Sequence, residues 1–204
     1  MKSKEFPLGR AVFFITGNLH KFNEARRVLA EDKIGLAMLR IKATEIQDDN
    51  IENIARASAL EAFKKSNLPL IVEDAGLFVR VLKGFPGSYS SYVHRTIGNE
   101  SVLKLMQGVE DRYAQFRSAV VFCGSGRSLK SFEGVSDGRI AEEPRGSSGF
   151  GFDPIFEPSG GGGKTFGEIS LFEKSKFSHR SRALRKFAEW YKSLSVKKSS
   201  SGPL

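Results

Sequence analysis

Ala11-Val12-Phe13-Phe14-Ile15-Thr16-Gly17-Asn18-Leu19-His20-Lys21 is the stretch from which the fold is read. A short, unbroken apolar run that stops at Thr16-Gly17-Asn18 has the pattern of a buried strand entering a turn. From Lys21 the period changes. Phe22, Ala25, Val28 and Leu29 share one stripe while Lys21, Glu24 and Arg27 fall off it, which predicts a helix. A strand, a Gly-Asn turn and a helix N-terminus in immediate succession open an α/β chain. The same junction aims backbone N–H groups and the positive end of a helix dipole at one spot, a ready place for an anion, and Lys21 adds a full charge. An ordinary strand-to-helix connection with a surface lysine would carry the same letters.

Outward from this unit, residues 34–41 predict a second strand and residues 51–65 a helix with Ile51, Ile54, Ala55, Ala59, Ala62 and Phe63 on its apolar stripe. The acidic loop between them holds Glu45, Asp48 and Asp49. Acids just before a helix serve capping and the dipole, so Asp49 or Asn50 is the expected cap. Glu45, at the strand end and outside the capping turn, is the better candidate for a metal. Leu68-Pro69-Leu70-Ile71-Val72 predicts a buried strand that stops at Glu73-Asp74-Ala75-Gly76 before an apolar run resumes over residues 77–82. Two adjacent carboxylates are costly to bury unless cations or a metal pair with them. Strand alternation would send them to opposite faces, so only one can face a given cleft.

Residues 83–91 read as a turn-rich loop able to cover a ligand. Asn99 is the expected cap of a helix through Met106; residues 112–122 and 129–132 flank hairpin chemistry at Gly124-Ser125-Gly126-Arg127; a short strand is expected around Gly138-Arg139-Ile140. Next comes Phe150-Gly151-Phe152-Asp153-Pro154-Ile155-Phe156, aromatic faces and a carboxylate on a glycine-broken turn, then Lys174-Ser175-Lys176-Phe177-Ser178-His179-Arg180 at the start of a last helix over residues 178–194. Flat rings with directed donors suit a purine base, although each phenylalanine taken alone fits a core position equally well. Ser178 is the expected N-cap, with His179 and Arg180 in the first turn and Leu184, Phe187, Ala188 and Tyr191 on the buried stripe. Gly160-Gly161-Gly162-Gly163-Lys164-Thr165 is not a P-loop. Pro158 stands where that pattern needs glycine, and no long helix clearly follows Thr165.

The chain has 204 residues and a formal charge of +9, which admits nucleic acid, an acidic membrane surface or small polyanions as partners. One cysteine, Cys123, lies inside an apolar run; it excludes an intramolecular disulfide and reads as a core thiol in a reducing compartment. No apolar run approaches the length of a membrane span. A soluble, cytoplasmic protein is expected, with a flexible arm over residues 1–10, a single two-lobed α/β domain over 11–194 and a disordered basic tail over 195–204. A nucleic-acid-binding module would use Lys176, Arg180, Arg182, Arg185 and Lys186, but it leaves Glu73-Asp74 and the acidic loop without a purpose.

Thr16-Gly17-Asn18-Leu19-His20-Lys21, Glu45-Ile46-Gln47, Glu73-Asp74-Ala75-Gly76-Leu77, Phe85-Pro86-Gly87-Ser88-Tyr89, Phe150-Gly151-Phe152-Asp153-Pro154, and Lys174 with Ser178-His179-Arg180 follow one another in the order and spacing of a known family. Over residues 12–191 the chain closely resembles the inosine/xanthosine triphosphate pyrophosphatases, enzymes that remove deaminated purine nucleotides. The resemblance implies an elongated mixed β-sheet with flanking helices, two lobes around a nucleotide-binding cleft, a homodimer, and Mg²⁺-dependent hydrolysis of a purine nucleoside triphosphate (ITP, dITP or XTP) to the monophosphate and pyrophosphate. It implies further that Thr16, Gly17, Asn18 and Lys21, flanked by Leu19 and His20, hold the triphosphate. Glu45 and Asp74 would take the metal, with Asp74 as proton acceptor for the attacking water and Glu73 and Lys21 beside it. Phe150 would stack on the base within Gly151-Phe152, while Asp153, Lys174, His179 and Arg180 read the purine and anchor the nucleotide. Two positions depart from the pattern. Ala75 stands where serine or threonine is common, leaving that phosphate contact to backbone N–H alone. Ser58 stands where many members carry lysine, with Arg56 and His20 as candidates to compensate. A pyrophosphatase of related fold acting on modified pyrimidine nucleotides is the nearest enzymatic alternative.

Overall fold

The computed structural model describes residues 11–42 and 46–199, with side chains through residue 194. The opening unit forms as read. Strand β1 (Ala11–Ile15) turns at Thr16–Asn18 into helix α1 (Leu19–Glu31), whose buried residues include Ala25, Val28 and Leu29. Strand β2 (Gly35–Leu39) lies parallel to β1, and helix α2 (Ile51–Ser66) is capped by Asn50, whose Oδ1 accepts from the Glu52 N–H at 2.8 Å.

The acidic pair does not interrupt its strand. Strand β3 runs unbroken over Leu70–Val79, through Glu73 and Asp74, because the buried Glu73 finds cationic partners. Strand β4 (Pro86–Gly87) follows, then helices α3 (Ser90–Thr96) and α4 (Gly98–Leu105). Helix α3 begins at the last two residues of the expected loop, 83–91, and continues through Thr96, a segment for which the sequence predicts no element. Asn99 caps nothing: it lies inside α4, and its Nδ2 donates to Gly151 O at 3.3 Å. The hairpin is longer than its apolar letters suggest. Strand β5 (Tyr113–Cys123) and strand β6 (Leu129–Ile140) pair over their full lengths, so the two short strands expected within residues 129–140 are one. A short strand β7 (Phe156–Pro158), helix α5 (Leu171–Ser175) and helix α6 (His179–Ser199) complete the order; α6 runs past residue 194, where a polar tail was expected.

Among the described residues seven strands make one open mixed sheet in the order β2-β1-β3-β5-β6-β7, with β4 beside β3. One face carries two apolar clusters at opposite ends of the long strands. The first packs Val12, Phe14, Ile71, Val120, Phe122 and Phe132 against α1 and α6. The second gathers Leu77, Val79, Phe116 and Ile140 with Phe152, Phe156 and Phe166. Between them runs a row of small residues in register, Ala75, Ser118 and Gly134. Gly134 is small of necessity: a Cβ there would lie 2.0 Å from His179 O, so its absence lets the start of α6 rest on the sheet. Helix α2 covers the other face over Val72, Ala119, Val121 and the buried Cys123, where burial pushes the thiol up to about 11.

Candidate active site

Strand β3 pairs with β5 along its whole length, but on its other edge the partner changes. Strand β1 meets residues 70–72 and β4 meets residues 77–78. Among the described residues no strand pairs with 73–76 on that edge, and a cleft of about 860 Å³ opens there. Divergence of neighbouring strands and their connections is where open α/β sheets take ligands. Backbone parity adds a donor. The N–H groups of Leu77 and Val79 turn to this edge, reaching Ser90 Oγ at 2.8 Å and Phe85 O at 3.3 Å, and Glu73 O accepts from Lys21 Nζ at 3.4 Å. Ala75 has the same parity, so its N–H and C=O face the gap. The contact that Ala75 lacks in its side chain is available from its backbone.

The two acids separate as alternation requires. Glu73 is buried: Oε1 accepts from Ser118 Oγ at 2.8 Å and Arg180 Nε at 3.1 Å, and Oε2 meets Lys21 Nζ at 2.9 Å. Burial opposes its ionisation, yet Arg180, then Lys21, hold its carboxyl well below the usual carboxylate range. Arg180 reaches onward to Glu24 Oε2, and Glu24 Oε1 pairs with Lys174 Nζ at 2.7 Å, which in turn pairs with Asp153 Oδ2 at 2.7 Å. Burial of Glu24 is likewise overridden by the charges of Arg180 and Lys174, leaving its carboxyl at about 2. Burial wins at Asp153, whose carboxyl is raised against the pull of Lys174, with the Glu24 charge adding to the rise. Removing one partner from such a buried network costs about 3–5 kcal/mol. Asp74, one residue along, is half-buried and lines the cleft.

The aromatic part adjoins this network. Phe150 is half-buried on the cleft wall, and its turn is fixed by Asp153, whose Oδ2 accepts from the Phe150 N–H at 2.8 Å. Gly149 (φ 76°) brings that turn against the Asp153 carboxylate, where a Cβ would lie 2.0 Å from Oδ2. Lys174 Nζ and Arg180 Cζ lie 5.2 and 5.5 Å from the Phe150 ring centroid. His179 is buried and stacks on Phe116 at 4.7 Å and 11°. Burial, with the charges of Arg180 and Lys174, pushes its imidazole well below the usual histidine value, so it is neutral, and its Nδ1 has no hydrogen-bond partner among the described residues. Phe152 is buried in the second cluster, edge-on to His94 at 5.3 Å, and still borders the cleft.

At the first turn of α1, Asn18 Oδ1 accepts from the N–H groups of His20 at 2.9 Å and Lys21 at 3.1 Å, and Thr16 Oγ1 accepts from the Asn18 N–H at 3.1 Å. The turn is thus partly self-satisfied. Gly17 and Leu19 keep N–H groups without a partner among the described residues, and Lys21 supplies the charge.

The cleft collects Thr16, Gly17, Asn18, His20, Lys21, Glu73, Asp74 and Ala75 with Phe150, Gly151, Phe152, Asp153, Lys174, His179 and Arg180. Leu19 is not on its wall; its side chain is 57% exposed. Glu45 lies outside the described residues. Arg56 is turned away, donating to Ser131 Oγ at 3.0 Å and pairing with Glu52, so it does not replace the missing lysine at Ser58. Arg95 on α3 and Lys42 line the cleft, exposed and without a carboxylate partner among the described residues. Glu24, which falls off the apolar stripe of α1, and Ser118, Gly134 and Arg95 carry no functional signal in the sequence taken alone. Only the run of small residues in strands β5 and β6 carried any signal of a helix resting there.

Among the described residues no cluster of three His, Cys, Asp or Glu could hold a metal on its own. Asp74 offers oxygen alone, which suits a hard ion such as Mg²⁺ that takes its remaining ligands from phosphate and water. Asp48 is occupied in capping, accepting from the Asn50 N–H at 2.7 Å and Asn53 Nδ2 at 3.0 Å.

A profile of the Ham1 family matches residues 12–190. The chain is 53% identical over 180 residues to the dITP/XTP pyrophosphatase of Methanothermobacter marburgensis, covering 88% of this chain and 95% of that one. It is 49% identical to the dITP/XTP pyrophosphatase of Methanopyrus kandleri, covering 89% and 96%. The solved structure of the Ham1 protein of Staphylococcus aureus superposes with a TM-score of 0.76 at 26% identity, covering 90% of this chain and 98% of that one. A HAM1 protein from Coxiella burnetii gives 0.79 at 25% identity with the same coverage. The chain belongs to the Ham1 family.

Proposed function

We propose that this protein hydrolyses deaminated purine nucleoside triphosphates, dITP, ITP and XTP, to the monophosphate and pyrophosphate, and so cleans the cytoplasmic nucleotide pool. The observation that carries the reading is the convergence, on one cleft, of the aromatic ring of Phe150, a buried His179 nitrogen without a hydrogen-bond partner among the described residues, fixed cations and the carboxylate of Asp74. The names of relatives about half identical in sequence agree with it.

Phosphorus in a tetra-anion is attacked by water only when charge is neutralised where it develops. Lys21 supplies one cation: its ammonium has three donors, so it can keep Glu73 and still reach a phosphate. Arg95 and Lys42 supply the charge that Ser58 does not, and the N–H groups of Gly17, Leu19 and Ala75 are directed donors. Asp74 and, with it, Glu45 would hold Mg²⁺, which when bound offsets phosphate charge and lowers the pKa of water. Asp74 accepts the proton of the attacking water, and Glu73, already committed to Arg180, Lys21 and Ser118, holds the cations in place.

Stacking on Phe150 makes the site tolerant of any flat base. Selection then comes from donors. Hypoxanthine and xanthine present an acceptor oxygen at position 6 and adenine an amine. A buried donor left facing an amine costs about 1–3 kcal/mol, which gives the preference its scale. The homodimer we propose for the protein draws support from exposed apolar side chains on β4–α3, Phe85, Tyr89 and Tyr92.

A panel of nucleoside triphosphates with Mg²⁺, assayed for pyrophosphate, tests the reading. Turnover of dITP and XTP well above dATP, dGTP and dUTP is expected; preference for a modified pyrimidine, or salt-sensitive nucleic-acid binding without hydrolysis, would replace it.

A further inference from the structure

The ring of Phe150 has two unlike neighbourhoods. Lys174 and Arg180 approach it from the buried network, pinned by Glu24, Asp153 and Glu73, and cannot leave without stranding those carboxylates. His20 is different. Its imidazole lies 5.1 Å from the Phe150 centroid at an interplanar angle of 22°, the offset stack that a nucleobase makes on an aromatic ring. The imidazole is exposed and has no hydrogen bond or ion pair among the described residues. Its backbone is held, since the His20 N–H donates to Asn18 Oδ1 at 2.9 Å. The ring can therefore swing away by side-chain rotation alone, and only the stack opposes it.

We propose that His20 is a placeholder: its imidazole covers the stacking face of Phe150 in the nucleotide-free protein, a base enters by displacing it, and its return helps to expel the product nucleotide. The inference rests on Phe150 being the stacking partner of the base, as proposed above. Displacement lowers the affinity of every base-bearing ligand by the same factor, the fraction of time that the face is uncovered. It leaves the ranking of bases unchanged and does not touch ligands without a base. The step on which this matters is release of the monophosphate, which after pyrophosphate departs is held through its base and a single phosphate.

Three proteins decide the matter: wild type, His20→Ala and Phe150→Leu, each titrated with IMP and, separately, with pyrophosphate. His20→Ala is expected to tighten IMP by about 3–10-fold, the range for a face covered most of the time, with no tightening of pyrophosphate. In the free wild-type protein the His20 ring protons should resonate upfield through the Phe150 ring current, move downfield as IMP saturates, and lose the upfield shift in Phe150→Leu. Unchanged or weaker IMP binding in His20→Ala overturns the proposal, as do His20 protons that stay upfield in the IMP complex. If Phe150→Leu binds IMP as tightly as wild type, the stacking role of Phe150 itself fails, an outcome separable from the first.

Discussion

Glu73 and Asp74 are adjacent in the chain and sit on opposite faces of the same strand. Glu73 is sealed between two apolar clusters, ionised and bound by Arg180, Lys21 and Ser118. Asp74 is half-buried on the rim of the cleft. A carboxylate held by two fixed cations and a hydroxyl is a scaffold, because its charge is already spent on keeping those partners in place. A carboxylate on the cleft wall faces the space that a substrate would fill. Identical chemistry one residue apart thus serves structure on one face and, in our proposal, reaction on the other.

The sharpest way to break this contrast is to neutralise each acid in turn. Asp74→Asn should lower kcat by about 10³-fold or more, the upper part of the range for a lost general base compounded by a lost metal ligand, with the melting temperature nearly unchanged. Glu73→Gln should do the reverse in kind: it strands Arg180 and Lys21, so a loss of about 3–5 kcal/mol is expected, which for a domain of this size lowers the melting temperature by about 10 °C. If Asp74→Asn melted early and kept its kcat, the assignments would be interchanged.

Acid sharpens the comparison without mutation. The Glu24 carboxyl falls from its ordinary 4.5 to about 2 in the fold, and Glu73 is depressed further. A depressed acid contributes stability that is complete above the unfolded value and lost as pH falls through the folded one. Stability should therefore hold down to about pH 5 and decline between pH 4.5 and 2, by up to about 1.4 kcal/mol per pH unit for each carboxylate. Asp153, raised by burial, works in the opposite sense and blunts the decline. Urea melts from pH 6 to 2.5 check this, and Glu73→Gln should show a shallower acid slope than wild type.

Gly134→Ala probes the seat of the network from below. A Cβ placed 2.0 Å from His179 O must move the start of α6, at about 1–3 kcal/mol, and kcat/KM should fall because Arg180 and His179 move with it. The smallest effect belongs to the open side: Arg95→Ala should raise KM for dITP a few-fold at low salt, and the difference should shrink as salt screens the exposed charge.

The opening strand-turn-helix was legible because both periods were clean: Val12 and Phe14 are buried as a strand predicts, and Ala25, Val28 and Leu29 as a helix does. The cap at Asn50 and the first turn of α6 were legible for the same local reason. Glu24 was not. A helical wheel places it off the apolar stripe, and what buries it is a pair of cations, one of them Lys174, which lies 150 positions away. The length of β6 was hidden by Gly134 and Gly138, whose smallness answers α6 and β7 instead of any strand propensity; a Cβ on Gly138 would lie 2.3 Å from Glu157 O. The site's residue types could be picked from the chain, whereas the division of labour between its two acids needed the sheet.

The claim at the centre is that water, activated at Asp74, attacks the α-phosphorus of a nucleotide lying in the β3 gap. Hydrolysis of dITP in ¹⁸O-labelled water, followed by ³¹P NMR or mass spectrometry of the products, addresses it directly. The label is expected in dIMP, with unlabelled pyrophosphate; label in pyrophosphate, or formation of orthophosphate and dIDP, would contradict it.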